Sequence, residues 1–242
     1  MQTTNVKFQQ NLYKFTIPSD IKGERVLDVL RNGNMWESKM MKMMQDILRK
    51  DDIAIDVGAY VGTHSVIMSS CCKQVHSIEP QPFIYKCLIQ NVNRKNVKTY
   101  NRCAYNTDGE EKIFMATNNG RASLQDYRPR LQKATKVTTK TITIDSLNLS
   151  PRLIKIDTEG SELAVLEGAE KTVRKHRPYI IIESWKKNYE KINSWRKRFG
   201  YEEPISLKCD NYLLKPRTFV IIDDDEDTDD EVEGEMILVN PQ

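Results

Sequence analysis

Hydrophobic and polar positions change period several times along the chain, and each change marks an element. Residues 5–17, NVKFQQNLYKFTI, alternate weakly at a period of two, which predicts a short hairpin ahead of the main body. Residues 36–49, WESKMMKMMQDILR, place Met40, Met44, Ile47 and Leu48 on one helical face. That methionine stripe reads as core packing, because an unbranched thioether fills irregular gaps. A regular rhythm starts at residue 53. The runs IAIDV (53–57), VHSIE (75–79) and VKTYNRCA (97–104) predict strands, and 63–70 and 82–94, the latter opened by Pro82, predict the helices between them. This order implies a parallel, doubly wound α/β sheet, since parallel neighbours need crossover helices.

The middle of the chain breaks the rhythm. EKIFMA (111–116) and KVTTKTITID (136–145) predict an inserted β-hairpin around the polar loop TNNGRASLQDYRPRLQ. The alternation then resumes with a strand RLIKID (152–157), a helix over 161–175, a strand PYIIIE (178–183) and a Lys/Arg-rich helix over 186–199. EEPISLK (202–208) and NYLLKP (211–216) predict a closing antiparallel pair. No internal repeat is apparent.

Composition narrows the class. The 242 residues suffice for one sizeable core, and no stretch approaches the ~18 to 20 unbroken apolar residues of a membrane span, so no membrane partner is expected. The first residues show no basic-then-apolar signal pattern. The five cysteines are scattered, odd in number and without a CxxC pair, which predicts a reducing, cytoplasmic setting and no structural metal. Charge is unevenly placed. Ten of the 34 acids lie within 223–235, DDDEDTDDEVEGE, and none of the 37 Lys and Arg residues follows position 222, leaving a net +13 on the rest. That basic body could attract an anionic partner, nucleic acid included, and the tail is too charged to bury and is expected to be disordered. A tail folded over the body would screen it.

The turn DVGAYVG (56–62) carries the first chemistry. A glycine turn between a strand and a helix aims backbone N–H groups at a ligand. Gly58 permits the sharp turn and Gly62 a close helix–strand approach. Glu79 ends the next strand, about where an acid accepts hydrogen bonds from ribose hydroxyls. A dinucleotide would want G-x-G-x-x-G, whereas the pattern here is D-x-G-x-x-x-G and Asp56 would repel phosphate. S-adenosylmethionine has a ribose, an ammonium and a sulfonium and no phosphate, and suits the turn better. In the expected strand order Asp56, Asp157 and Glu183 fall at adjacent carboxyl ends, the edge where such sheets bind ligands. Lys155 shares a strand face with Asp157 and is expected to pair with one of these acids, because a lone lysine inside a central strand is costly. Asp157 or Glu159 could take the proton of a hydroxyl acceptor. Glu162 reads as a helix-capping acid, and His64 and His76 as structural histidines.

GNMWE, DIAIDVGAYVGTHS, SIEP, RCAYNTDGE, TITIDSL, LIKIDTEGSELAVLEGAE and PYIIIE come in an order and spacing that resembles the FkbM family of methyltransferases over about residues 33–183, with a weaker echo at NYLLKP. The resemblance implies the Rossmann-like, seven-stranded, mostly parallel sheet of class I S-adenosylmethionine-dependent enzymes. With the patterning and charge read above, the expected organisation is an N-terminal hairpin and helix extension (1–35), a methyltransferase domain (36–220) and an acidic tail (221–242). Position by position, the resemblance implies that Asp56, Gly58, Ala59, Tyr60 and Gly62 line the cofactor, with Glu79 and Pro80 at the ribose and Cys103 and Ala104 beside the adenine. Asp157 and Glu159 would face the reacting methyl, with Lys155 and Glu183 in the catalytic group. Glu37 would close the pocket, and Asn119, Arg121 and Ser123 would touch substrate. Tyr60 departs from the family, which commonly has Asn there. The family's activity implies O-methylation of a sugar, glycan or small molecule. RNA cap methylation and a non-catalytic cofactor-binding module are the competing readings, and the missing glycine disfavours an NAD-dependent dehydrogenase.

Overall fold

The structure is a computed structural model that describes residues 1–116, 122–123 and 134–217. Asn119, Arg121 and the acidic tail lie outside the described residues. Two strands, β1 (Gln2–Phe8) and β2 (Asn11–Ile17), form the N-terminal hairpin in full register from Gln2↔Ile17 to Phe8↔Asn11. Helix α1 (Arg25–Arg31) follows, its first turn capped by the Glu24 carboxylate, which accepts from the Val26 and Leu27 N–H groups. Helix α2 (Ser38–Ile47) buries Met40, Met41 and Met44, so the methionine stripe is core.

Strand β3 (Ile53–Val57), helix α3 (Thr63–Met68), strand β4 (Gln74–Ile78), helix α4 (Pro82–Asn91) and strand β5 (Val97–Tyr100) come next. The expected strand over 97–104 is in fact two. Asn101 Nδ2 donates to the carbonyls of Glu79 and Pro80 at 2.9 and 3.1 Å, which anchors the chain where it leaves β5. Residues Cys103–Ala104 then form β6, parallel to a strand of a second sheet. That second, four-stranded sheet has the order β6-β9-β7-β8, with β7 (Gly109–Ala116) antiparallel both to β8 (Ala122–Ser123) and to β9 (Ala134–Ile142). Ser123 opposes Phe114 there.

Strand β10 (Pro151–Ile156) returns the chain to the main sheet. The expected single helix over 161–175 is split into α5 (Glu162–Glu167) and α6 (Glu170–His176). The reason lies at Gly168, where a Cβ would stand 2.1 Å from the Tyr105 carbonyl oxygen. Only a glycine lets the chain pass this close to the 105–106 backbone. Strand β11 (Tyr179–Glu183), helix α7 (Lys186–Arg198) and the antiparallel pair β12 (Ile205–Lys208) and β13 (Asn211–Leu214) complete the chain.

The main sheet is seven-stranded, in the order β12-β13-β11-β10-β3-β4-β5. Strands β11, β10, β3, β4 and β5 are mutually parallel and β13 runs antiparallel to β11. Alternate side chains of the central strands serve two cores. Ile55, Val57, Ile154, Ile156, Ile180 and Ile182 pack with Val165, Val173 and Trp195 of α5 to α7. Ala54, Leu153 and Ile181 pack with Met40, Met44 and Met68 of α2 and α3. Burial on both faces explains why these strands read as unbroken apolar runs. The N-terminal hairpin shares a third core, in which Phe15, Ile17, Leu27 and Leu30 meet Ala59, Val61, Ile84 and Leu88. It is thereby fastened to the glycine turn. Among the described residues no helix is long and apolar enough to cross a membrane.

Candidate active site

The carboxyl ends of β3, β4, β10 and β11 open into one cavity of about 500 Å³. Its walls include Gly58, Ala59, Tyr60, Glu79 and Pro80 from the first two strand ends. Cys103 and Ala104 come from β6, and Lys155, Asp157, Glu159 and Glu183 from the two central strand ends. Glu37 joins them from the start of α2. These residues are far apart in sequence and meet because their strands are neighbours in register.

The turn after β3 is shaped by one close approach. Gly58 has φ of 73°, and a Cβ on it would lie 1.7 Å from the Asp157 carbonyl oxygen. The Gly58 and Ala59 N–H groups both donate to the Ile78 carbonyl at 3.0 Å, and the Asp157 N–H donates to the Val57 carbonyl at 3.1 Å. The turn is therefore clasped between β4 and β10. Gly62 and Asp56, expected beside the ligand, do not line the cavity. Gly62 begins α3, where a Cβ would come within 2.8 and 2.9 Å of Leu88 and Val92, so it serves packing against α4. Asp56 is fully buried behind the cavity floor. Its Oδ2 accepts from Ser65 Oγ at 2.5 Å, and Ser65 Oγ also meets Ser77 Oγ at 2.8 Å.

Lys155 joins this buried chain to the cavity. It sits opposite Asp56 in the β10–β3 register, with its Nζ 3.1 Å from Asp157 Oδ2 and 3.9 Å from Asp56 Oδ1. Burial alone would depress its pKa, but the Asp157 and Asp56 carboxylates outweigh that and raise it, so Lys155 stays charged. For Asp157, burial pushes upward and the Lys155 ammonium outweighs it, holding the carboxyl below its usual range. Glu183, in the matching place at the end of β11, goes the other way. Its burial, reinforced by the Asp157 and Glu159 charges, lifts it to about 9. The neighbouring strand ends thus carry two carboxyls pushed in opposite directions, Asp157 toward its ionised form and Glu183 toward its protonated one.

Glu79 is also buried. Its Oε1 accepts from the Gln81 N–H at 2.9 Å and its Oε2 from the Tyr60 N–H at 3.0 Å. Burial raises it to about 7, the two N–H groups offsetting only part of that cost. Tyr60, the residue that departs from the family pattern, uses its hydroxyl as well, donating to Glu24 Oε2 at 3.2 Å. It therefore ties the glycine turn to the cap of α1. Tyr60→Phe removes that bond, and a fall in stability of about 1–2 kcal/mol is expected by thermal melting.

Glu162 reaches backward, accepting from the Thr158 and Gly160 N–H groups at 3.2 and 2.7 Å, and so shapes the loop that carries Glu159. Glu37 Oε2 lies 3.3 Å from His64 Nε2, and its Oε1 accepts from Asn211 Nδ2 at 3.0 Å. His64, read above as structural, thus lines the cavity in an acid–imidazole pair. His76 is structural, bonded to Tyr100 and Gln74 and held neutral by burial, with its pKa lowered to about 4.

Sequence reasoning passed over Glu24, Arg25, Cys209 and Asp210, which also line the cavity. The Arg25 guanidinium stacks 4.9 Å above Trp36. Among the described residues nine non-glycine positions have left-handed φ, and five of them, Glu37, Tyr60, Glu159, Cys209 and Asp210, line this cavity. Backbone strain of this kind collects where the surrounding fold holds a working shape. Lining acids also dominate the charge: Glu24, Glu37, Glu79, Asp157, Glu159 and Asp210, besides Glu183, against the cations Arg25 and Lys155. Among the described residues no group of three His, Cys, Asp or Glu side chains is placed to hold a metal.

The sequence model of the family described as Methyltransferase FkbM domain matches residues 56–203, from the glycine turn past the last helix. The chain belongs to the FkbM methyltransferase family. Hexuronic acid methyltransferase AglP of Haloferax volcanii is 28% identical over 167 residues. That match covers 62% of this chain and 65% of the relative, so the chain spans less than two thirds of that protein. Among solved structures, the FkbM methyltransferase of Methylobacillus flagellatus KT aligns with a TM-score of 0.47 at 17% identity, covering 78% of this chain and 52% of the other. TYW2 of M. jannaschii in complex with AdoMet aligns with a TM-score of 0.47 at 13% identity, covering 88% and 83%. The family match begins at Asp56 and so leaves Glu24, Arg25, Trp36 and Glu37 outside it. These four cavity residues come from this chain's N-terminal segment.

Proposed function

We propose that this FkbM protein is an S-adenosylmethionine-dependent O-methyltransferase acting on a hydroxyl of a sugar or similar small acceptor. The observation that carries the reading is the acid-lined cavity at the strand ends, with a buried carboxylate, Glu79, following β4. A cavity dominated by carboxylates favours a cationic ligand and disfavours phosphates, which weighs against both a dinucleotide and an RNA strand threading the site. S-adenosylmethionine fits on these grounds: Glu79 retains lone pairs that ribose hydroxyls can satisfy, and the acids beyond it face the positive end. On this reading the sheet is the doubly wound, Rossmann-like sheet of class I methyltransferases with an inserted β-hairpin. The activity of AglP toward a hexuronic acid supports a sugar acceptor. Five unpaired cysteines support a cytoplasmic setting.

Gly58, Ala59 and Tyr60 would shape the cofactor's seat, Glu79 and Pro80 would hold the ribose, and Cys103 and Ala104 would border the base. Bound there, S-adenosylmethionine supplies a methyl on a positively charged sulfur. Asp157, ionised at neutral pH, takes the proton of the acceptor hydroxyl. A weak base is enough, because that proton becomes strongly acidic as the new C–O bond forms. Lys155 fixes the Asp157 carboxylate, and Glu159 adds negative charge beside it. Glu37 and Ser123 remain candidate acceptor contacts, with Asn119 and Arg121.

The deciding experiment is calorimetric titration with S-adenosylmethionine, followed by transfer of a labelled methyl to neutral sugars, uronic acids and capped RNA. No cofactor binding removes the reading, and transfer to RNA alone replaces the acceptor. The pH dependence of binding is a sharper check. Glu79 is protonated below about 7 in the free protein, and a protonated carboxyl is a poorer acceptor for ribose hydroxyls. Affinity is expected to weaken as pH falls below 7, by up to about tenfold per unit for one linked proton. The Glu79→Gln variant is expected to bind weakly at every pH and to lose this slope.

A further inference from the structure

The Asp157–Glu183 contact does more than crowd two acids together. Ile156 and Ile182 are register partners, so the next residues, Asp157 and Glu183, leave adjacent parallel strands side by side at the cavity floor. Two carboxyls set side by side in a buried site repel when both are ionised, so the arrangement favours one of them keeping a proton through which it can donate a hydrogen bond to the other. Lys155 decides which. Its ammonium lies 3.1 Å from Asp157 Oδ2 and stabilises the ionised form of that residue. No donor among the described residues reaches Glu183 Oε2, which is fully enclosed. An enclosed carboxylate oxygen without a donor, next to a second carboxylate, is relieved most cheaply by protonation. Every acidic neighbour pushes the same way: Asp157 on β10, Glu159 in the following loop and Glu162 on α5. Asp210 adds a further acid to the same cavity wall, and Lys155, His64 and Glu37 bear on the pair from the side of α2 and α3.

We propose that Glu183 is a positioning residue that works as the neutral acid, keeping its proton and donating a hydrogen bond through it to Asp157, so that Asp157 is the pair's one ionised carboxylate and is held at a fixed angle toward the acceptor hydroxyl. The proposal rests on the methyltransferase reading of the site. It assigns the two carboxylates different tasks by environment rather than by type. The Glu183 proton stays in place throughout. The acceptor proton goes to Asp157, whose free lone pairs are aimed by Lys155 on one side and Glu183 on the other. Above about pH 9, where Glu183 ionises, the donor is lost and the two negative charges repel.

The test uses the full chain with Glu183→Gln and Glu183→Leu. Glutamine keeps the shape and a donating N–H, whereas leucine keeps neither. The Gln variant is expected to hold kcat within about 3-fold of wild type at neutral pH and to lack the wild-type decline above pH 9. The Leu variant is expected to lose on the order of 10²-fold in kcat with the cofactor KM little changed, the scale of a misaligned catalytic group. A second readout needs no turnover. Because the Glu183 pKa is raised on folding from 4.5 to about 9, its contribution to stability is complete below 4.5 and is lost as pH rises to 9. The wild-type Tm should therefore fall relative to the Gln variant between pH 5 and 9 and level off above 9. A Gln variant as damaged as the Leu variant, or a wild-type Tm that parallels the Gln variant across that range, overturns the proposal. If the Leu variant does not fold, the Gln variant and the Tm comparison decide. Failure of the methyltransferase reading shows instead as absent cofactor binding, with the Tm comparison still interpretable.

Discussion

Asp157→Asn is expected to lower kcat by about 10²–10⁴-fold, the range for loss of a positioned general base. The side chain keeps its size and still fills the end of β10, so the cavity keeps its shape. What changes is charge. An amide cannot take the acceptor proton, and Lys155, buried beneath it, loses its nearer carboxylate and keeps Asp56 at 3.9 Å. Breaking a buried pair in this way typically costs about 3–5 kcal/mol, so the variant should also melt at a lower temperature. The two effects separate. Calorimetry should still detect cofactor binding to the folded variant, since Glu79 and the glycine turn are untouched, while methyl transfer falls. An Asn variant with near wild-type kcat would remove Asp157 as the base and leave Glu159 as the alternative, tested by Glu159→Gln.

Gly58→Ala is expected to be the most damaging single-methyl change in the chain. Two costs combine there. The backbone at φ 73° is left-handed, a region worth roughly 1–2 kcal/mol against any residue with a Cβ. The added methyl also lands 1.7 Å from the Asp157 carbonyl oxygen, so β10 or the turn must move. Gly23 supplies the control, with φ of 70° and nothing within 4 Å of a built Cβ. Gly23→Ala should show only the strain. Gly58→Ala should lose at least about 2 kcal/mol more, which for a chain of this size is a further Tm drop of roughly 4–8 °C. It should also abolish cofactor binding, because the part that moves carries the proposed base. Equal melting of the two variants would show that the clasp between β3 and β10 yields easily.

Much of the main sheet was legible because its strands are covered on both faces. Runs such as IAIDV and PYIIIE are apolar at nearly every position, and only a buried parallel strand or a core helix reads that way. Two boundaries were not legible. The break after Tyr100 depends on Asn101 reaching the Glu79 and Pro80 carbonyls. The split of the 161–175 helix depends on Gly168 meeting the Tyr105 backbone. Both are contacts between segments distant in sequence, and local periodicity carries no trace of them. The candidate site divides in the same manner. Glu79 and Asp157 announce themselves as acids at strand ends, whereas Glu24 looks like an ordinary helix cap, and only the folded chain brings it to the cavity wall and to the Tyr60 hydroxyl.

The sequence alone determined which residue types stand at the strand ends and how far apart they fall along the chain, since both follow from hydrophobic period and turn chemistry. It was enough for the family. Tertiary structure decided the surroundings of each acid. Asp56 was withdrawn from the cavity into a buried bond with Ser65, Lys155 was set between two carboxylates, and burial and neighbouring charge came to push Asp157 and Glu183 in opposite directions. A carboxyl's protonation depends on burial and on charges within a few ångströms. Those distances exist only once strands separated by tens of residues lie side by side.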